Sequence, residues 1–294
     1  GVMMPINEDF LKSKGEGFGA PTDPSSILYN GPFVLKSITA KSSIEMAKND
    51  AYWDKDAVKI QNIKFTYWDG KDQDVVAKGF SEGQYSKARI YPTSSTYEKY
   101  ASEFKDNIFF NEPGSAIATV SVNYGRTTYN HTSKTTDSQK ESTRKALLNK
   151  EFRQALNFAV DRNSYSAQTN GTEGAAVGIR NTFSPYDLQV GDKQFGKLVE
   201  ESLAKTNSST WSNVSLADSQ NGLYNEEKAK AAFAKAKESL KAEGVEFPIH
   251  LDALTIQEST AVVNRVQSLK QSIENVLGAD NVVIDLQPVS YTHL

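Results

Sequence analysis

Cysteine is absent from this chain, and histidine occurs only three times in 294 residues. The first absence excludes disulfides, zinc–thiolate sites and cysteine nucleophiles together. The second leaves little material for a histidine metal site or a Ser-His-Asp arrangement, because His131, His250 and His293 stand in unrelated contexts. His250 lies inside a strand-like run and reads as a packed or hydrogen-bonded residue rather than a base. Long apolar runs are also missing: no stretch approaches the roughly 18 consecutive apolar residues that a membrane helix needs. No signal peptide opens the sequence. Neither sign of charge dominates, with 33 basic against 36 acidic residues, so no strong field argues for nucleic acid or an anionic membrane. There is no Gly-x-Ser-x-Gly elbow, no phosphate-binding Gly-Lys-Ser/Thr loop and no His-Glu-x-x-His helix. The acidic pairs Asp54/Asp56 and Asp72/Asp74 lack calcium-loop spacing and read as solvated turns.

What is present is an alternation of strand and helix patterns, in a length that suits one large domain or two of ordinary size. Residues 1–29 read as loop, with Gly15, Gly17, Gly19, Pro21 and Pro24. Asn30-Gly31-Pro32 is a turn signal. It precedes two half-buried strands, one with Phe33 and Leu35 and one with Ile44 and Met46. Asn49-Asp50 starts another turn, after which Tyr52-Trp53 reads as an aromatic core anchor. Ile63, Phe65 and Tyr67 fall on one face of a third strand. A short helix around Val75, Val76 and Phe80 stops at Gly83, and Ala88 to Ile90 reads as a buried strand. Thr93 or Ser94 would cap a helix carrying Tyr97, Tyr100 and Phe104, and strands would follow at 108–111 and 117–123.

Arg126 to Leu148, rich in Thr, Ser and Lys, reads as a solvated insertion or linker. Beyond it Asn149 caps a helix with the apolar face Phe152, Ala155, Leu156, Ala159 and Val160, and Arg162 suits its C-terminal end. Residues 170–222 are loop-rich, with a helical patch near 195–203. Asn225 caps a helix lined by Ala229, Ala232, Phe233, Ala236 and Leu240, which Gly244 ends. A strand at 247–254, an amphipathic helix from Val262 to Val276 and a strand at 282–287 make a strand–helix–strand unit, which implies a parallel pair.

The order Asn30-Gly31-Pro32-Phe33-x-Leu35, then Asn49-x-x-Tyr52-Trp53, then Ile63-x-Phe65 resembles the signature of the family 5 extracellular solute-binding proteins of ABC importers. Lys150-Glu151-Phe152-Arg153-Gln154-Ala155-Leu156-Asn157 followed by Asp161-Arg162 continues the likeness. The stretch 132–148 and the run FPIHLD are most similar to the Ali/Ami type of oligopeptide-binding lipoproteins of Gram-positive cocci. The resemblance implies an α/β, periplasmic-binding-protein-like fold (type II, peptide-binding cluster), bilobal and incomplete at both ends. Under it, residues 1–124 belong to the first lobe and the end of an accessory lobe, 125–148 are the polar linker, 149–289 begin the other lobe, and 290–294 are a non-native tail. Such a fragment is expected to fold poorly alone. The resemblance also implies capture of oligopeptides in an interlobe cleft, delivery to the permease subunits of an ABC importer, a monomer when intact, and a position on the outer face of the membrane through a lipid anchor outside this sequence. It implies no catalysis, metal or cofactor.

Candidate ligand-binding residues are Arg89, Tyr91, Thr93 and Ser94, where a strand would end and a helix begin, and Asn123 and Tyr124, at the expected crossing between lobes. Hydroxyls at a helix start suit a peptide carboxylate, although plain capping is the favoured explanation of Thr93 and Ser94. Tyr offers stacking area and a hydrogen bond, and Arg89 reads as a ligand contact or a surface ion pair. A surface peptide receptor or adhesin of the same fold, or a peptide or glycan hydrolase, are the alternative functions. The hydrolase needs a nucleophile–base pair or separated carboxylates.

Overall fold

The computed structural model describes residues 6–109, 117 and 119–290. By its contacts the chain divides at Asp69/Gly70 into two compact units, and not within 125–148.

The first unit opens with α1 (Glu8–Lys14), capped by Asn7, whose Oδ1 accepts from the Phe10 amide at 2.8 Å. Strands β1 (Phe33–Thr39), β2 (Ser43–Lys48) and β3 (Asn62–Thr66) then form an antiparallel meander. Lys41, at φ 53°, makes the tight β1–β2 turn. Asn49 explains why the two turn signals belong together. Its Nδ2 donates to Gly31 O (2.8 Å), its amide to Pro32 O (2.9 Å), and its Oδ1 accepts from Ala51 N (3.0 Å). A buried Asn thus satisfies both turns at once. The aromatic pair that follows is no core anchor. Tyr52 and Trp53 touch, with ring centroids 5.7 Å apart, but Trp53 stays 84% exposed. The Asn49 turn projects it outward, so its hydrophobicity is not used inside this unit.

The second unit begins with α2 (Asp74–Ser81) and α3 (Tyr97–Glu103). No strand forms at 88–90, and among the described residues none forms at 108–111 or 117–123; residues 110, 111 and 118 lie outside the described set. The region expected to be a solvated linker instead builds α4 (Asp137–Leu148), with a Thr136/Gln139 capping box. Ala146 and Leu147 enter the main core. Next come α5 (Lys150–Ala159), begun by the predicted Asn149 side-chain cap, and α6 (Arg162–Gly174), begun by an Asp161 cap that the sequence reading did not name. Arg162 does serve the end of α5: its guanidinium donates to Val160 O (3.2 Å) and Asn157 Oδ1 (2.8 Å). A two-residue hairpin, β4 (Gln189–Val190) and β5 (Lys193–Gln194), leads to α7 (Phe195–Thr206) and α8 (Ser208–Trp211). Helix α9 (Glu226–Ala242), strand β6 (Ile249–Ile256), helix α10 (Thr260–Leu277) and strand β7 (Val282–Val289) complete the unit.

β6 and β7 pair in parallel, as the strand–helix–strand pattern requires, with Ile249 opposite Val282 and Asp252 opposite Asp285. The period of two gives the sheet two unlike faces. Ile249, Leu251 and Ala253 with Val282, Ile284 and Leu286 join the apolar core formed with α5, α9 and α10. His250, Asp252, Asp285 and Gln287 occupy the other face. The outer edge of β7 is closed by α10: the Ile284 amide donates to Glu274 Oε1 (2.8 Å), and its carbonyl accepts from Lys270 Nζ (2.8 Å). Pro288 lacks an N–H on the same edge, a usual guard against further pairing.

Candidate functional site

Two polar segments of the second unit hold the residues marked out by the sequence. In the first, Pro92 lies against the α6 kink at Gly171 (φ 66°), where a Cβ would come within 2.4 Å of the proline ring. Thr93 Oγ1 sits 3.3 Å from Gln73 Oε1 and 3.5 Å from Gln168 O. Arg89 lies over the Tyr91 ring at 4.8 Å. Tyr91 is only 6% exposed, so its ring supports Arg89 and is not itself a stacking surface. Thr93 and Ser94 do not cap α3, which starts at Tyr97. The Ser95 and Thr96 hydroxyls donate to Asp74 at 2.7 and 2.8 Å and hold its carboxyl below the usual carboxylate range. These bonds tie the start of α3 to α2, and they make Asp74 a fixed acceptor rather than a solvated turn residue.

The second segment runs from Asn123 to Lys134. Asn123 Oδ1 accepts from the Gly125 amide at 3.1 Å, which folds the chain back, and Tyr124 is exposed. The rest is fastened to the polar face of β6 and β7. There Asp252 and Asp285 are cross-strand neighbours, a pairing that is unfavourable unless neutralised. Arg126 Nη1 (2.5 Å), Lys134 Nζ (2.7 Å), Thr132 Oγ1 (2.7 Å) and the Ser133 amide (3.1 Å) all donate to Asp252. Ser133 Oγ donates to Asp285 at 2.6 Å, and His250 Nδ1 lies 2.8 Å from the same oxygen. The Asp252 and Lys134 side chains are 2% and 1% exposed. Burial alone would push the Asp252 carboxyl up. The donors from Lys134, Thr132, Ser133 and Arg126 outweigh it and hold the group at about 2. Tyr129 lies under Arg126 at 4.4 Å and Lys140 at 5.3 Å, which adds cation–π attraction.

The sequence reading missed Arg126, Thr132, Ser133, Lys134, Asp252 and Asp285. Its available signal was one Asp within each of two mostly apolar strands, IHLDAL and VVIDLQ, joined by a helix. Such positions demand partners, and the basic, hydroxyl-rich stretch 126–134 supplies them.

Ser133, Asp285 and His250 lie in a chain with the carboxylate in the middle, so the imidazole meets the carboxylate and the three are not arranged as a Ser–His pair oriented by an acid. A cavity of about 70 Å³ beside His250, lined by Gln139, Ser142, Glu246 and Phe247, has room only for molecules of about the size of water. An apolar one of about 270 Å³ in the first unit is lined by Phe18, Ile27 and Leu28. Both fall short of the about 300–1,000 Å³ usual for sites enclosing even a drug-sized ligand.

The sequence profile of the bacterial extracellular solute-binding proteins, family 5 (middle region), matches residues 2–292. The chain belongs to this family. It is 54% identical over 290 residues to the oligopeptide-binding protein AmiA of Streptococcus pneumoniae serotype 4, a match covering 98% of this chain and 44% of that protein. It is 56% identical over 287 residues to the oligopeptide-binding protein SarA of Streptococcus gordonii, covering 97% of this chain and 43% of that one. The chain therefore spans less than half the length of these family members. Among solved structures, the substrate-binding domain of an oligopeptide ABC transporter from Bacillus anthracis superposes with a TM-score of 0.63 at 18% identity, over 98% of this chain and 46% of that one. Listeria monocytogenes OppA bound to peptide gives 0.60 at 19% identity, over 98% and 47%. The α/β fold is thus shared with part of the periplasmic-binding-protein-like family members.

Proposed function

We propose that this chain is part of a solute-binding protein that captures oligopeptides outside the cell and delivers them to the permease of an ABC importer. The observation that carries the reading is identity above half with two oligopeptide-binding proteins along nearly the whole chain. Arg89, Thr93, Asn123 and Tyr124 are the proposed peptide contacts in this unit, with Tyr91 and Ser94 as their support. Hydroxyl, amide and guanidinium groups suit a peptide's backbone and termini while making little demand on its side chains, and waters fill the remainder. Binding calls for no chemistry, so the protein is read as a carrier and not a hydrolase. A monomer held at the outer membrane face by a lipid anchor fits the same reading.

The test is calorimetry with an oligopeptide mixture, followed by native mass spectrometry. It is run on this chain and on a hybrid in which it replaces the matching 290 residues of the pneumococcal relative. Intact peptides bound by the hybrid support the proposal. Cleaved products, or a folded hybrid that binds nothing while the parent binds, reject it.

A further inference from the structure

We propose that Asp252 is a positioning residue for peptide capture, holding the segment Asn123–Lys134 in one conformation so that Asn123 and Tyr124 meet the ligand without first being ordered. The proposal rests on the peptide-binding reading above and adds to it the device that presents those contacts.

The segment has no strand or helix of its own from 119 to 136, so backbone ladders do not fix it. What fixes it is a set of side chains converging on one buried carboxylate. Arg126, only two residues beyond Tyr124, donates from Nη1 to Asp252 Oδ2, from Nε to Thr128 O (2.8 Å) and from Nη2 to His131 O (2.7 Å). One guanidinium therefore closes the loop on itself and fastens it to β6. Thr132, Ser133 and Lys134 clamp the other end to the same carboxylate, and Ser133 reaches on to Asp285. Gln287 Nε2 reaches Asp252 Oδ1 at 3.3 Å. β6 itself is anchored in the core by Ile249 and Thr255, both buried.

The anchor is thus buried and the segment mostly polar and exposed, so the carboxylate decides whether that segment is ordered. A loop already ordered spares a ligand the entropy of ordering it. Charge-assisted hydrogen bonds to a buried carboxylate are strong enough to hold it.

The experiment compares wild type with Asp252→Asn, Asp252→Glu and Arg126→Ala. Hydrogen exchange and peptide affinity are both followed on the hybrid with the pneumococcal relative. Losing one charge-assisted bond is expected to raise exchange across residues 125–133 about tenfold, with a similar loss of affinity, while β6 and β7 amides change little. Asp252→Glu restores part of both. Arg126→Ala removes the most exposed of the charged partners, so it reads the same effect should Asp252→Asn fail to fold.

Equal rises in exchange across β6, β7 and α4 would make Asp252 a core residue only and overturn the proposal. So would a loosened segment with unchanged affinity. A wild-type hybrid that binds no peptide fails at the earlier step, the peptide-binding reading, and is recognised as such before any variant is made.

Discussion

At the residue scale, the folded protein binds the Asp252 proton less well than the unfolded chain does. Its carboxyl sits at about 2 against an ordinary 3.8. The stabilisation is therefore complete above about pH 4 and is lost as pH falls toward 2, a difference of about 2 kcal/mol. Urea melts at pH 6 and pH 3 should show wild type losing about half of this increment, on the order of 1 kcal/mol, and Asp252→Asn losing none of it. Lys134→Met keeps the volume but removes a buried donor, and is expected to cost about 1.5–3 kcal/mol at pH 7. A cost near zero would mean that Arg126 alone neutralises Asp252. Caps were the most legible residues: Asn149 and Asn225 accept from the amides three positions on, as local chemistry dictates. Tyr91 and Trp53 were not legible, because an aromatic's place depends on what the rest of the chain brings to it.

At the element scale, α4 shows how composition misleads. Its mean character is polar, yet it forms, because the Thr136 capping box starts it and Ala146 and Leu147 bury its last turn. Thr136→Ala is expected to lower stability by about 1 kcal/mol, read as earlier loss of helical signal on heating. The order and pairing of the β6–α10–β7 unit were legible, since an amphipathic helix between two apolar runs has few other solutions, although β6 runs Ile249–Ile256 and not 247–254. The closed edge of β7 was not. Lys270 and Glu274 look like an ordinary helix-surface pair, but they also satisfy the Ile284 backbone. Glu274→Ala leaves that amide unpaired and is expected to cost about 1–3 kcal/mol. Glu274→Gln, which still offers an acceptor, should recover much of it. Thermal unfolding of the two variants settles the order.

At the scale of the whole molecule, the two units differ in how much apolar surface they bury. The second holds a continuous core from Ala146 to Ile284. Among the described residues of the first, the buried ones are Ser26 and Asn49, both polar, while Ile44 and its cross-strand partner Phe65 stay exposed. Burial sets local stability. The amides of β1–β3 should therefore exchange at lower denaturant than those of β6 and β7, giving separate transitions rather than one. Equal protection in both sheets would refute this.

The sequence by itself determined the elements whose reasons are local: the turn at Asn30-Gly31-Pro32, the caps at Asn149 and Asn225, the stop at Gly244 and the periodicity of α9 and α10. It also carried the family, because its motifs record turns and helix faces that neighbouring residues impose. Only the tertiary structure decided where the chain divides, that residues 126–134 lie on an acidic sheet face, and that Asp252 and Asp285 stand side by side. The physical reason is separation along the chain. Lys134 and Asp252 meet across 118 positions, and Asp252 meets Asp285 only through the register of a parallel pair. Such contacts are fixed by how elements pack and not by any window of neighbouring residues.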